Sequence, residues 1–186
     1  IAVSSLGRTL PDQLWARPAA LPYLRKLVDS VHAAGGKISA QITHGGSFVT
    51  SIKVKGRTFS SSGGISKAGL LAGNVLTRAM TEDDLQMVQD EFVACAQLMR
   101  EAGFDAVELH MGHGYLLNQF VSPLSNKRND QYGGSAENRI RYPARVLAAV
   151  KAAVGKDLAV LAKINVSDGV KGGATAEDGI VTARAL

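Results

Sequence analysis

Cysteine is almost missing from this chain. The one thiol, Cys95 among 186 residues, excludes an intrachain disulfide framework and any multi-cysteine metal or iron–sulfur site within this stretch. No apolar run approaches the ~20 residues needed to cross a bilayer. The opening "IAVSSLGRTL" lacks a basic segment leading into an apolar signal core. A reducing, cytoplasmic setting without a membrane partner is the expectation. Aromatics are scarce as well, at 5%, and the net charge of +5 is spread thinly. Its densest clusters, "NKRND" and "ENRIR", are interrupted by acids or amides. A nucleic-acid footprint needs a basic stripe with stacking aromatics, so no nucleic-acid partner is expected. A small anionic ligand could use the same charge. No G-x-G-x-x-G follows a strand, so the dinucleotide fingerprint is missing too.

What is present is enough apolar sequence, 46%, to bury one substantial core. Short apolar runs alternate with longer amphipathic ones. Residues 21–34 place Leu21, Leu24, Leu27, Val28 and Val31 on one helical face, and Gly35-Gly36 stops that helix. "KISAQITH" then reads as a strand. Residues 45–79 lose periodicity and read as a long excursion loop or hairpin near the strand ends. Thr81 has the look of an N-cap with acids in the first turn. Behind it, Leu85, Val88, Phe92, Cys95 and Met99 repeat at helical spacing up to Gly103. "FDAVELH" is the next strand, followed by a long loop over residues 111–134 and a helix beginning near Ser135. Pro143 inside that pattern predicts a kink or a later start. "LAVLAKINV" is a further strand, and "TAEDGIVTARAL" opens a helix.

Strand–helix alternation with crossovers of this length implies parallel strands. An open doubly wound sheet and an eight-fold barrel both satisfy the pattern. Three complete strands and a fragment at residues 1–4 are too few for a barrel. The chain is therefore expected to be an internal piece of one, with residues 1–186 a single domain incomplete at both ends.

Strand parity sorts the polar residues. Ala106, Glu108 and His110 share one face of "FDAVELH", and Val107 and Leu109 share the other. The apolar pair would face outer helices, which turns Glu108 and His110 inward. By the same logic Gln41 points inward from "KISAQITH" and Lys163 from "LAVLAKINV". Three successive strands thus deliver polar groups to one end, the end where barrel enzymes keep their chemistry. Blander roles exist for each residue. A lone histidine after a strand is usually hydrogen-bonded structure, which suits His44, and His32 sits on a helix surface. Tyr115 could be packing, and Glu108 and Lys163 could form a buried ion pair. The Arg and Asp residues of "NKRNDQYGGSAENRIR" would brace the loop and cap the next helix. Zinc on His110, His113 and Glu108 is chemically conceivable. But "HMGHG" leaves a strand for a loop, and no H-E-x-x-H is present, so no metal is expected.

Residues 103–150, "GFDAVELHMGHGYLLNQFVSPLSNKRNDQYGGSAENRIRYPARVLAAV", closely resemble the old yellow enzyme family of flavin-dependent ene reductases. So do "VHAAGGKISAQITHGG" at 31–46 and "VLAKINVSDG" at 160–169. The H-x-x-H-G-Y-L-L and N-x-R-x-D-x-Y-G-G-S-x-E-N-R patterns carry the likeness. The resemblance implies a (β/α)8 TIM barrel, present here as strands 2 to 5 with their helices, and FMN at its mouth. It also implies NADPH or NADH as electron donor and an activated alkene as substrate. His110 and His113 match the pair that hydrogen-bonds the substrate's withdrawing group, and Tyr115 matches the proton donor. Gln41 matches the glutamine at the flavin's pyrimidine edge. Lys163 stands where members carry arginine or sometimes lysine, and a lysine lacks the planar two-point contact of a guanidinium. Ser47 replaces an arginine common in the family. A related flavin amine dehydrogenase or demethylase, or a barrel kept as a cofactor-less scaffold, are the alternatives, and homo-oligomerisation stays open.

Overall fold

The computed structural model describes residues 2–4, 14–49, 58–65 and 76–186. In chain order these form β1 (Ala2–Ser4), β2 (Leu14–Trp15), α1 (Leu21–Ala33) and β3 (Ser39–Thr43). Three short strands follow: β4 (Phe59–Ser60), β5 (Gly64–Ile65) and β6 (Leu76–Ala79). The remainder is α2 (Glu82–Glu101), β7 (Ala106–Met111), α3 (Leu116–Val121), α4 (Ala136–Val154), β8 (Ala159–Ile164) and α5 (Ala176–Ala185).

Five strands make one parallel sheet in the order β2-β1-β3-β7-β8. From β1 onward the strands are laid down in chain order, with no reversal of direction across the sheet. Their apolar residues explain why. Ala40, Ile42, Val107 and Leu109 alternate along β3 and β7 and are fully buried. They meet Leu85, Val88, Phe92 and Met99 of α2 and Val146 and Val150 of α4. The opposite face, with Gln41, Glu108, Leu161 and Lys163, is part-buried or open; Leu161 is 48% exposed. A doubly wound sheet covers both faces with helices. Sequential order with helices on one face is instead the arrangement of a barrel wall.

The helix ends follow local chemistry. Thr81 caps α2 through a complete capping box with Asp84, and Thr175 does the same for α5 with Asp178. Gly35 after α1 adopts φ +75°, which a residue with Cβ rarely adopts. α1 buries Leu24 and Val28, but Leu27 stays exposed, so its apolar stripe is narrower than the spacing predicts.

Two expectations are corrected. α4 begins at once after its Ser135 cap and runs through Pro143; the later start does not occur. The proline forfeits only one backbone bond. Tyr142 beside it is fully buried and its hydroxyl donates to the Leu85 carbonyl at 3.0 Å, so tertiary packing holds the turn. The loop over residues 111–134 also contains a helix, α3, with all six residues buried. Six residues are too few to hold as an isolated helix; burial stabilises it. In the excursion, β5 and β6 pair antiparallel and β4 joins β6 in parallel. Residues 50–57 and 66–75 lie outside the described segments.

Candidate active site

The turn from β7 into α3 brings three side chains together. His110 ends the inward row of β7 and is 4% exposed. Its ring lies 4.6 Å, centroid to centroid, from Tyr115 at a 35° tilt. His113 meets it edge-on at 5.0 Å. Three-residue spacing would splay two imidazoles on a strand. Here His113 takes φ +56°, the only non-glycine described with positive φ, and the chain folds back. Tyr115 is the N-cap of α3, and its ring also contacts Phe48 at 5.8 Å.

Backbone and ring chemistry together define the state of His110. The Gly112 N–H donates to Nδ1 at 3.3 Å. Nδ1 therefore offers its lone pair, and the neutral ring carries its proton on Nε2. Burial holds the ring neutral, lowering its pKa from 6.5 to about 4; His113 and Lys163 act in the same direction and Glu108 opposes. His44 repeats the device one strand earlier, with the Gly46 N–H on its Nδ1 at 3.1 Å and its ring stacked on Phe59.

A pH dependence follows. A histidine whose folded pKa lies below its unfolded value leaves the unfolded state binding more protons between the two. This contribution to stability is complete above about 6.5 and is lost as the pH falls from there toward about 4. Nitrogen-15 NMR of histidine-labelled full-length protein should show His110 neutral and Nε2-protonated from pH 8 down to about pH 5. An imidazolium signal for His110 at pH 6 would contradict this account.

Below the histidines, register places Gln41 opposite Glu108, Glu108 opposite Leu161, and His110 opposite Lys163. Gln41 Nε2 donates to Glu108 Oε1 at 2.5 Å. Glu108 thus takes Gln41, and the alternative Glu108–Lys163 ion pair is absent among the described residues. Lys163 remains exposed on the open face. His32 pairs with Asp105 at 2.8 Å at the helix surface, away from this cluster. Among the described residues no group of three or more His, Cys, Asp or Glu could hold a metal ion. Burial pushes the Cys95 thiol up to about 12, which suits packing and not nucleophilic chemistry.

Several further residues line the turn; strand parity places Asn165 inward beside Lys163, but the buried amides of Asn118 and Gln119 carry no sequence signal. Asn165 accepts the His113 N–H at 3.1 Å, and Asn118 accepts the Gly114 N–H at 2.8 Å. Gln119 Nε2 donates to the Gly114 carbonyl at 2.7 Å and to Ser47 Oγ at 3.0 Å. Ser47 thereby joins the wall of the turn. A cleft of about 700 Å³ opens beside it, lined in part by Phe48, Gly114, Asn118, Leu124 and Asn165. Arg128 braces the loop on Asp130 as expected, whereas α4 is capped by Ser135 and not by an Arg or Asp, and Arg139 reaches out of that stretch to Asp178.

The profile of the NADH:flavin oxidoreductase / NADH oxidase family matches residues 4–186. Over 185 residues the chain is 42% identical to the 4,4'-dithiodibutanoate disulfide reductase of Rhodococcus erythropolis, covering all of this chain and 45% of that protein. It is 37% identical over 146 residues to the NADPH dehydrogenase of Clostridium acetobutylicum, covering 76% of this chain and 40% of the other. Among solved structures, the old yellow enzyme homologue from Zymomonas mobilis superposes with a TM-score of 0.85 at 26% identity, covering 99% of this chain and 54% of that one. Morphinone reductase in complex with tetrahydroNAD gives 0.84 at 26% identity, over 100% of this chain and 57% of that one. The chain spans about half the length of these relatives or less, and its sheet is a portion of a (β/α)8 barrel. It belongs to the NADH:flavin oxidoreductase / NADH oxidase family.

Proposed function

We propose that the protein is an FMN-dependent oxidoreductase that passes hydride from NADH or NADPH, by way of the flavin, to an activated alkene such as an enone. The observation that carries this reading is the His110–His113–Tyr115 cluster at the end of β7, beside the open polar face of the same sheet.

That face fits the flavin. Gln41 and Glu108 offer an amide and a carboxylate side by side, and Lys163 adds an exposed cation on the next strand. A planar group with donors and acceptors along one edge suits such a row, and Gln41 and Lys163 would hold its pyrimidine edge. When bound, FMN supplies hydride acceptance from the nicotinamide and hydride delivery to the alkene. This chain's residues bind, polarise and protonate. Hydride addition to an enone builds negative charge on the carbonyl oxygen. Imidazole N–H groups from His110 and His113 would stabilise that charge where it develops, and His110 carries its proton on Nε2, the nitrogen not bonded to the Gly112 N–H. The Tyr115 phenol, whose ring lies against His110, supplies the proton to the α-carbon.

A second reading keeps the flavin and changes the substrate. One relative, 39% identical over 140 residues, is an N,N-dimethylglycine/sarcosine dehydrogenase of Chromohalobacter salexigens, and the Rhodococcus relative is named for a disulfide. Amine oxidation builds positive charge on the substrate, which two N–H donors disfavour. Disulfide cleavage builds thiolate charge, which they favour. The alkene and the disulfide are therefore the substrates to compare.

The test is the visible spectrum of purified full-length protein without oxygen. A flavin band should bleach with NADPH or NADH and return on adding a cyclic enone. Return with a linear disulfide alone would reassign the substrate. Absence of a flavin band, even after FMN is supplied to folded protein, would sink the proposal.

A further inference from the structure

We infer that Asn165, backed by Asn118, is a positioning residue that holds His113 in the conformation facing His110. The inference rests on the proposed role of the histidine pair. It starts from an energetic oddity: His113 sits at φ +56°, the left-handed region that a residue with Cβ enters only at a cost. Such a conformation persists only where the surroundings over-determine it.

They do so here. Five successive backbone N–H groups are each bonded: Gly112 to the His110 ring, His113 to Asn165 Oδ1, Gly114 to Asn118 Oδ1, Tyr115 to the Gly112 carbonyl, and Leu116 to the His44 carbonyl. Of these acceptors, only the one at His113 comes from beyond the next strand, β8. Asn165 follows directly on β8, 52 residues along the chain. Its Nδ2 reaches Asn118 Oδ1 at 3.4 Å, so the two amides that receive adjacent N–H groups touch each other. Glycine at 112 permits the approach: a Cβ there would stand 2.8 Å from Asn165 Oδ1.

The His113 ring is exposed and meets His110 only at its edge. Its backbone, and hence Asn165, therefore decides where it points. Because Gly114, Tyr115 and Leu116 are held by their own bonds, taking His113 to negative φ would require the 112–113 peptide to swing, and its N–H would leave Asn165. Asn165 also lies two residues beyond Lys163, so one strand end sets the place of both the cation and the second imidazole.

The experiment uses full-length flavoprotein carrying Asn165→Ala, Asn165→Asp, His113→Ala and the Asn165→Ala/His113→Ala pair. Asn165→Ala is expected to lower kcat/KM for a cyclic enone about tenfold, the scale of one lost hydrogen bond. Asn165→Asp keeps the acceptor and should recover most of that loss. The double variant should be no worse than His113→Ala, because Asn165 acts through His113. Selective histidine labelling adds a readout independent of turnover: the strong intraresidue HN–Hα Overhauser effect of a positive-φ residue should weaken at His113 in Asn165→Ala. Persistence of that signal, or an equal loss from Asn165→Ala with and without His113, would overturn the inference. So would a damaged His113→Ala beside an undamaged Asn165→Ala. A fully active His113→Ala would overturn the inference together with the role of the histidine pair.

Discussion

Full-length protein carrying Tyr115→Phe is expected to reduce an enone about 10²–10⁴-fold more slowly, the usual worth of a positioned general acid. The substitution removes one oxygen and nothing that the ring does for packing. Tyr115 lies tilted against His110 and against Phe48 through its ring, and its backbone, not its side chain, serves α3. Phenylalanine preserves all of that, so the melting temperature and the flavin content should stay at parental values. The substitution also leaves the histidine pair untouched, so under the proposed roles the ketone oxygen is still held and KM should change little. A loss in kcat with KM retained marks an interaction made only in the transition state. An equal rise in KM would instead assign Tyr115 to binding. A parental rate would remove it from the chemistry, and the proton would then come from water or from His113.

The strand layer of this fold is legible in the sequence because its signal is local. Alternation within "SAQIT" and "AVELHM" separates Gln41, Glu108 and His110 from Ile42, Val107 and Leu109, and the structure keeps that separation. α2 is legible through Thr81 and its acids, which form the capping box the spacing implies. α3 is not, because Asn118 and Gln119 interrupt its short apolar run and both are buried. Their polarity is spent on the backbone of the turn, at Gly114 and at residues around Ser47. Nothing in a one-dimensional pattern distinguishes such an amide from a solvated one. Pro143 misleads for a related reason: a local penalty is outweighed by the burial of Tyr142 and Val146. Of the site, the residue types and their inward direction can be read in advance. The tautomer of His110, the reversed backbone of His113 and the Asn165 contact cannot, since each depends on atoms that meet only in the folded turn.

Arg139→Ala should cost about 3–5 kcal/mol of stability, the range for breaking a buried, hydrogen-bonded ion pair from one side. Arg139 is 7% exposed and uses its whole guanidinium. Nε donates to the Val121 carbonyl at 2.7 Å, Nη1 to the Gly134 carbonyl at 2.5 Å, and Nη2 to Asp178 Oδ1 at 2.7 Å. Alanine orphans the buried Val121 carbonyl and takes the same partner from the Gly134 carbonyl and the part-buried Asp178 carboxylate, and the buried group carries its full desolvation cost. Arg139→Lys should recover little, because a point charge cannot serve three acceptors in a fixed plane. Arg25 provides the control. It pairs with Glu101 at 3.1 Å with its side chain 52% exposed, and Arg25→Ala should cost under about 1 kcal/mol. Urea denaturation of the full-length proteins, compared at equal slope, reads the difference. Equal midpoints for the two variants would show that the Arg139 network contributes no more than a surface pair. The expected result bears on the site as well. Val121 ends the helix that Tyr115 begins, and Asp178 caps the helix after β8. One guanidinium therefore ties the segment bearing Tyr115 to the one that follows Lys163 and Asn165, and weakening it should loosen the turn around Tyr115 before the sheet itself.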